Sequence, residues 1–111
     1  YQLADLYLAA THSDGTSISL LEAMGCGCPV LVSDLDGNRE WVTPEENGWL
    51  FPQGDAHAMA QAILKAVKMR SQLPGMGEAA RKTVEQRADW KTNFSKLLQV
   101  YQQVYDRYYN E

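Results

Sequence analysis

Two cysteines, two histidines and ten basic residues are few for a chain of 111, and each shortage removes a class of function. Cys26 and Cys28 stand a single residue apart. Two thiols do not make a zinc site, and no histidine lies close enough in sequence to complete one. They read as small, reduced, buried side chains of a cytosolic protein. On an extended or tightly turning chain they point to opposite sides. Lys and Arg number 10 against 14 Asp and Glu, a net charge of -4. The overall field therefore attracts neither nucleic acid nor anionic lipid, and any bound anion has to be held by local geometry. No apolar run approaches the roughly 18–20 residues that cross a bilayer. No signal peptide opens the chain, and neither does an initiator Met. The chain starts at Tyr1, inside what reads as a helix, so it reads as an excised or processed fragment: one small domain or a piece of a larger one.

Hydrophobic residues nevertheless make up 45% of the sequence, enough for an ordinary core. Leu3–Ala10 is apolar apart from Asp5 and reads as a helix end running into a buried strand at Leu6–Ala10. Thr11–Ser17 is a small, polar loop. Ile18–Met24 forms helix, with Ser17 or Ser19 as N-cap and Gly25 or Gly27 as the stop. Pro29–Ser33 carries the continuous apolar run Val30, Leu31, Val32, the mark of a parallel strand covered on both faces. Strand, loop, helix and strand in that order form the unit of a doubly wound sheet.

Further on, Asn38–Val42 reads as a short helix, Asn47-Gly48 as a turn and Trp49–Phe51 as a third strand. Asp55 caps a helix whose apolar face is Met59, Ala62, Ile63, Ala66 and Val67. Pro74–Arg87 is another helix. From Trp90 the stripe Trp90, Phe94, Leu97, Leu98, Tyr101, Val104, Tyr105, Tyr108 marks an amphipathic helix about 30 Å long. The fold expected is α/β, a partial Rossmann-like three-layer domain over residues 1–89, with a long terminal helix over 90–111. That helix packs either on this domain or on a missing one.

The most informative stretch is Ser13 to Ser33, SDGTSISLLEAMGCGCPVLVS. A Gly-bearing polar loop after a strand leads straight into a helix. The free N–H groups of the first turn, with the positive end of the helix dipole behind them, make a place for a phosphate. Gly15 lets a ligand approach the backbone. Ser17 and Ser19 add hydroxyl donors, and the Glu22 carboxylate, which only accepts, suits the two donors of a ribose or sugar diol. The plainer alternative stays open on these grounds: Asp14 with Ser17 or Ser19 caps the helix, and Glu22 answers its dipole.

This stretch closely resembles the signature of the family-4 retaining glycosyltransferases, which adopt the GT-B fold. Asp14 with Gly15, then Glu22-Ala23-Met24 with seven residues between Asp14 and Glu22, then Cys26, Gly27, Pro29 and Val30 follow the family's pattern. Gly37 and Glu40 with Trp41-Val42 resemble its Gly-x-x-Glu-hydrophobic segment. Asn47-Gly48, Phe51-Pro52 and Gly54-Asp55 resemble its later turn and strand, and Trp90–Tyr105 its C-terminal helix. The resemblance implies the C-terminal, donor-binding part of an enzyme that transfers a sugar from a nucleotide-diphosphate sugar to an acceptor, with retention, without metal and without a cofactor. It implies Glu22 on the ribose and Asp14, the catalytic candidate, near the transferred sugar. The amides near Ser17, Ile18, Ser19 and Leu20 then face sugar and phosphate, with Gly15 and Thr16 in the same substrate-binding loop. The family's first acid is most often Glu, and Asp14 departs from that. The partners implied are the nucleotide-sugar and a missing acceptor domain of the same parent chain, without which this chain alone is expected to be inactive.

Two motifs mislead. Asp34-Leu35-Asp36 has the form of a metal-binding Asp-x-Asp, but two carboxylates without further ligands make a thin site. Gly25-x-Gly27 ends a helix and does not open one, unlike the dinucleotide fingerprint. His12 reads as a satisfied loop histidine, with ligand contact the second reading, and His57 as solvent-facing. The last helix carries only Lys91, Lys96 and Arg107 as cations, so attachment of the parent to a membrane surface is a weaker reading than a cytoplasmic one. The rival functional class is a non-catalytic nucleotide-sugar sensor, or a scaffold whose terminal helix docks on a partner.

Overall fold

A computed structural model describes residues 1–110. Three parallel strands, β1 (Tyr7–Ala9), β2 (Val30–Ser33) and β3 (Gly48–Phe51), lie side by side in chain order. Tyr7 faces Val30, and Val30 faces Gly48. Helices α1 (Ile18–Gly25) and α2 (Asp36–Arg39) link the strands. They are followed by α3 (Ala56–Lys68), a single 3-10 turn (Arg70–Gln72), α4 (Leu73–Arg87) and α5 (Trp90–Tyr109).

The period-2 alternation of β2 sorts the core into two layers. Val30 and Val32 pack with Leu20, Ala23 and Met24 of α1 and Ala80 of α4. Leu31 points the other way, to Ala66 of α3, Trp49, Phe51, Leu73 and Met76. All four residues of β2 are buried, the physical meaning of its unbroken apolar run. The three layers are α1 with the end of α4, the sheet, and α3.

Glycines set the closest contacts. Gly27 ends α1 with φ +77, and α4 crosses over it at Gly77. A Cβ at Gly77 would press into the carbonyl of Gly27, 2.9 Å from its carbon and 3.3 Å from Pro29 Cδ. Gly77→Ala is therefore expected to destabilise the chain by about 1–3 kcal/mol through overpacking. Gly75→Ala, where a Cβ meets nothing within 4 Å, should gain up to about 1 kcal/mol from helix propensity. Urea unfolding of the two variants checks the pair, and equal midpoints would show that the α1–α4 contact yields freely.

Several elements differ from the sequence reading. Tyr1 to Asp5 is turn and bend, not helix. β1 is shorter than Leu6–Ala10 and only half covered, with Leu8 44% exposed. It is one of the two sheet edges among the described residues, and α1 shelters only the side that carries Tyr7 and Ala9. The short helix lies two to three residues earlier than Asn38–Val42. Asn38 is inside it, donating Nδ2 to the Ser33 carbonyl at 2.8 Å, and Thr43-Pro44 stops any continuation. Of the cysteines, Cys28 is buried, and burial pushes its thiol up. Cys26, at the C-cap of α1, is exposed, so the two do point apart but only one is interior.

The terminal helix forms over the expected residues but does not lie on this domain. None of its side chains is buried, Trp90 is 73% exposed, and the described residues extend 62 Å along their long axis. Of the two expectations for the span 90–111, packing on its own domain is not what is seen, and Glu111 itself lies outside the described residues. Asp89 caps α5, accepting from Thr92 N at 3.0 Å and Thr92 Oγ1 at 2.6 Å. Ring pairs stack at both ends, Trp90–Phe94 at 5.3 Å and Tyr105–Tyr109 at 4.9 Å.

Candidate functional site

The loop Thr11–Ser17 leaves the C-terminal end of β1 and delivers the chain to α1. Ser17 is the N-cap: its backbone is extended and its Oγ accepts from Leu20 N at 3.3 Å. Leu21 N donates to the Ser17 carbonyl at 3.2 Å. The amides of Ile18 and Ser19, ahead of these bonds, lie at the positive end of the helix with no intrahelical acceptor available to them. Ile18, Ser19 and Glu22 form the exposed side of the helix, opposite buried Leu20, Ala23 and Met24. Glu22 is the fifth helical residue and not a first-turn one, so the dipole reading of this carboxylate weakens. Asp14 does not cap either. Both carboxylates are exposed and neither forms an ion pair among the described residues.

The structure thus brings Asp14, Gly15, Thr16, Ser17, Ile18, Ser19 and Glu22 to one loop and one helix end. Leu20 departs from the expected group: its side chain is 1% exposed and its amide is engaged by Ser17. Its side chain anchors the helix. A Cβ at Gly15 would meet nothing within 4 Å. No packing against the described residues requires glycine there, and the space in front of it is open.

Three supporting contacts escaped the sequence reading. Ser33 Oγ donates to the Thr11 carbonyl at 2.6 Å and ties the loop to the end of β2. Tyr7 packs beneath α1 with its ring edge-on to Tyr1 at 6.0 Å. Burial and Tyr1 push its phenol up, while the hydroxyls of Ser17 and Ser19 pull the other way. Gly37 of α2 abuts the Asp14–Gly15 backbone. A tyrosine two residues before a small Ala9 was the available signal for the second contact; nothing local signals the first.

His12 faces the α3 side of the sheet. Its carbonyl accepts from Gln53 Nε2 at 2.6 Å. With Ala10, Phe51, Gly54, Asp55 and Met59 it lines a cavity of about 170 Å³, below the roughly 300–1,000 Å³ of ordinary ligand pockets. His57 is exposed, as expected. Asp34 and Asp36 both pair with Arg39, at 2.5 and 2.8 Å, so the Asp-x-Asp already has its cation.

The sequence profile of the family described as "Glycosyl transferases group 1" matches residues 1–83. The chain belongs to the group 1 glycosyl transferases. Among similar proteins, phosphatidyl-myo-inositol mannosyltransferase of Mycobacterium leprae is 36% identical over 106 residues, covering 91% of this chain and 27% of that protein. The amylovoran biosynthesis glycosyltransferase AmsK of Erwinia amylovora is 30% identical, covering 90% and 25%. Of solved structures, sucrose-phosphate synthase from Thermosynechococcus elongatus superposes with TM-score 0.89 at 29% identity, over 94% of this chain and 26% of that one. Anabaena HepE, solved with UDP, superposes at 0.86 and 22% identity over 92% and 28%, a likeness of fold. The group 1 chain described by this sequence spans about a quarter of the length of these relatives. Its α/β architecture is the GT-B one expected from the Asp14–Val30 stretch. Among the described residues, no helix is long and apolar enough to cross a membrane.

Proposed function

We propose that this chain is the donor-binding part of a glycosyltransferase whose parent moves a sugar from a nucleotide-diphosphate sugar to an acceptor, with retention and without metal. The observation that carries the reading is the juxtaposition at the start of α1. Two amides without intrahelical acceptors, Ile18 and Ser19, stand beside two exposed carboxylates without ion-pair partners among the described residues, Asp14 and Glu22. Amides suit a diphosphate, and carboxylates suit hydroxyls, so one helix end offers complementary groups to both halves of a nucleotide-sugar. Glu22 takes the ribose diol. Asp14, on the loop, takes hydroxyls of the transferred sugar. Family membership and a neighbour of the same fold solved with UDP-glucose support the donor class.

The reaction breaks the bond between the sugar's anomeric carbon and the diphosphate and forms one to the acceptor oxygen, whose proton departs. Negative charge gathers on the leaving phosphate, where preorganised amides stabilise it. The acceptor and the basic groups that complete the phosphate site come from the rest of the parent. Such a division makes this chain inactive by itself.

Metal plays no part in this scheme: Asp34 and Asp36 share the single cation Arg39, and two carboxylates without further ligands make a thin metal site. The full-length parent should keep its transfer rate in excess chelator, and so should its Asp36→Ala variant. The product should carry the anomeric configuration of the donor, read from proton coupling constants. Activity that vanished with chelator and returned with manganese would overturn the metal-free reading; an inverted product would overturn retention.

A further inference from the structure

Gly37 is the second residue of α2, a four-residue helix. Its conformation does not call for glycine, since its φ is not in the left-handed region, and glycine weakens a helix relative to alanine. What calls for glycine is the neighbour. A Cβ at Gly37 would press into the carbonyl of Gly15, 2.9 Å from its carbon, and stand 3.1 Å from the Asp14 oxygen. Real Cβ atoms do not come so close to backbone, so a side chain at 37 and the present course of Asp14–Gly15 are incompatible.

The wall on the Gly37 side does not move easily. Asn38, buried, donates to the Ser33 carbonyl at 2.8 Å. Arg39 holds Asp34 and Asp36 together. Ser33 in turn binds the Thr11 carbonyl at the start of the same loop. The loop is thus fixed at Thr11 by a hydrogen bond and at Gly15 by contact with Gly37. Its outer side is open, for a Cβ at Gly15 meets nothing. Any side chain at 37 pushes the loop outward, into the space where the donor would lie.

We infer that Gly37 is a positioning residue for sugar transfer: the end of β2 and α2 form a rigid stop that sets how far the Asp14–Gly15 loop stands from the donor. This rests on the donor-site reading above. Its particular consequence is a separation of roles. The loop carries Asp14, directed at the sugar, whereas Ile18, Ser19 and Glu22 belong to α1, which is fixed independently through Leu20, Ala23 and Met24 in the core. Displacing the loop should impair transfer far more than nucleotide binding.

The test is Gly37→Ala and Gly37→Val in the full-length parent, with Gly75→Ala as the control for an alanine placed where space is free. UDP affinity is measured by titration, and turnover with a panel of UDP- and GDP-sugars. An ångström-scale misplacement of a reacting group costs about a hundredfold. Gly37→Ala should therefore lower kcat by about that factor and Gly37→Val by more, with UDP affinity within about threefold of the original and Gly75→Ala unchanged. The melting temperature of the Gly37→Ala parent should stay close to that of the original. A Gly37→Ala parent as active as the original would overturn the inference. So would a lowered melting temperature together with a matching loss of UDP affinity, which would make Gly37 a folding contact. A parent that used no nucleotide-sugar before any substitution would instead overturn the donor-site reading itself.

Discussion

Glu22→Gln in the full-length parent is expected to weaken nucleoside diphosphate binding by about ten- to a hundredfold, with the melting temperature unchanged. The size follows from the bond it alters. A hydrogen bond to a charged acceptor contributes about 1.5–3 kcal/mol, and glutamine keeps the length of the side chain while removing its charge and one acceptor. The unchanged stability follows from position. Glu22 is exposed, has no ion-pair partner among the described residues and sits beyond the first turn of α1, where the dipole effect has faded. Titration with UDP and a thermal melt decide it together. Full affinity with a lower melting temperature would make Glu22 a helix-stabilising residue and leave the ribose without its acceptor.

The second large effect concerns association. The 111-residue chain is expected to self-associate through α5 at micromolar concentration, or else to leave the last turns of that helix frayed, whereas a chain ending at Arg87 stays monomeric. The stripe from Trp90 to Tyr108 lies open along its whole length. Covering one large apolar side chain contributes about 1.5–3 kcal/mol, so a row of them drives contact with whatever is near. The helix start is firm at neutral pH. Thr92 holds the Asp89 carboxyl below its ordinary value, so the cap contributes above the unfolded-state value and is lost as pH falls through the lower, folded one. A monomeric mass by light scattering, with slow amide exchange through Tyr108, would contradict both outcomes. The superposition on sucrose-phosphate synthase covers 94% of this chain but 26% of the other. We therefore expect the stripe to be covered in the parent by residues outside this sequence.

What could be read in advance was what depends on neighbours along the chain. β2 announced itself because both faces are covered. α1 and α3 followed from apolar spacing and from the caps Ser17 and Asp55, each of which accepts from an amide three residues on, and α5 from its apolar stripe. The loop and helix carrying Asp14 and Glu22 were legible for the same reason. The misreadings are all tertiary. Leu8 and Leu3 look like core residues, and they stay exposed because nothing in the described chain covers that side of β1. The amide of Leu20 was expected to face a ligand, and the Ser17 side chain accepts from it instead. Cys26 seemed equivalent to Cys28 until the end of α1 fell between them. The Ser33–Thr11 bond joins residues 22 positions apart, beyond the reach of any local pattern.

Because the strands lie in chain order, each one pairs with the strand made just before it, closing a ring of about twenty residues each time. Such rings are entropically inexpensive. The sheet can therefore assemble as the chain leaves the ribosome, β1 onto β2 and then β3, with the α1–α4 contact at Gly77 closing it last. α5 takes no part in that sequence. Made after the other elements, it stands as an apolar arm that none of the described residues covers.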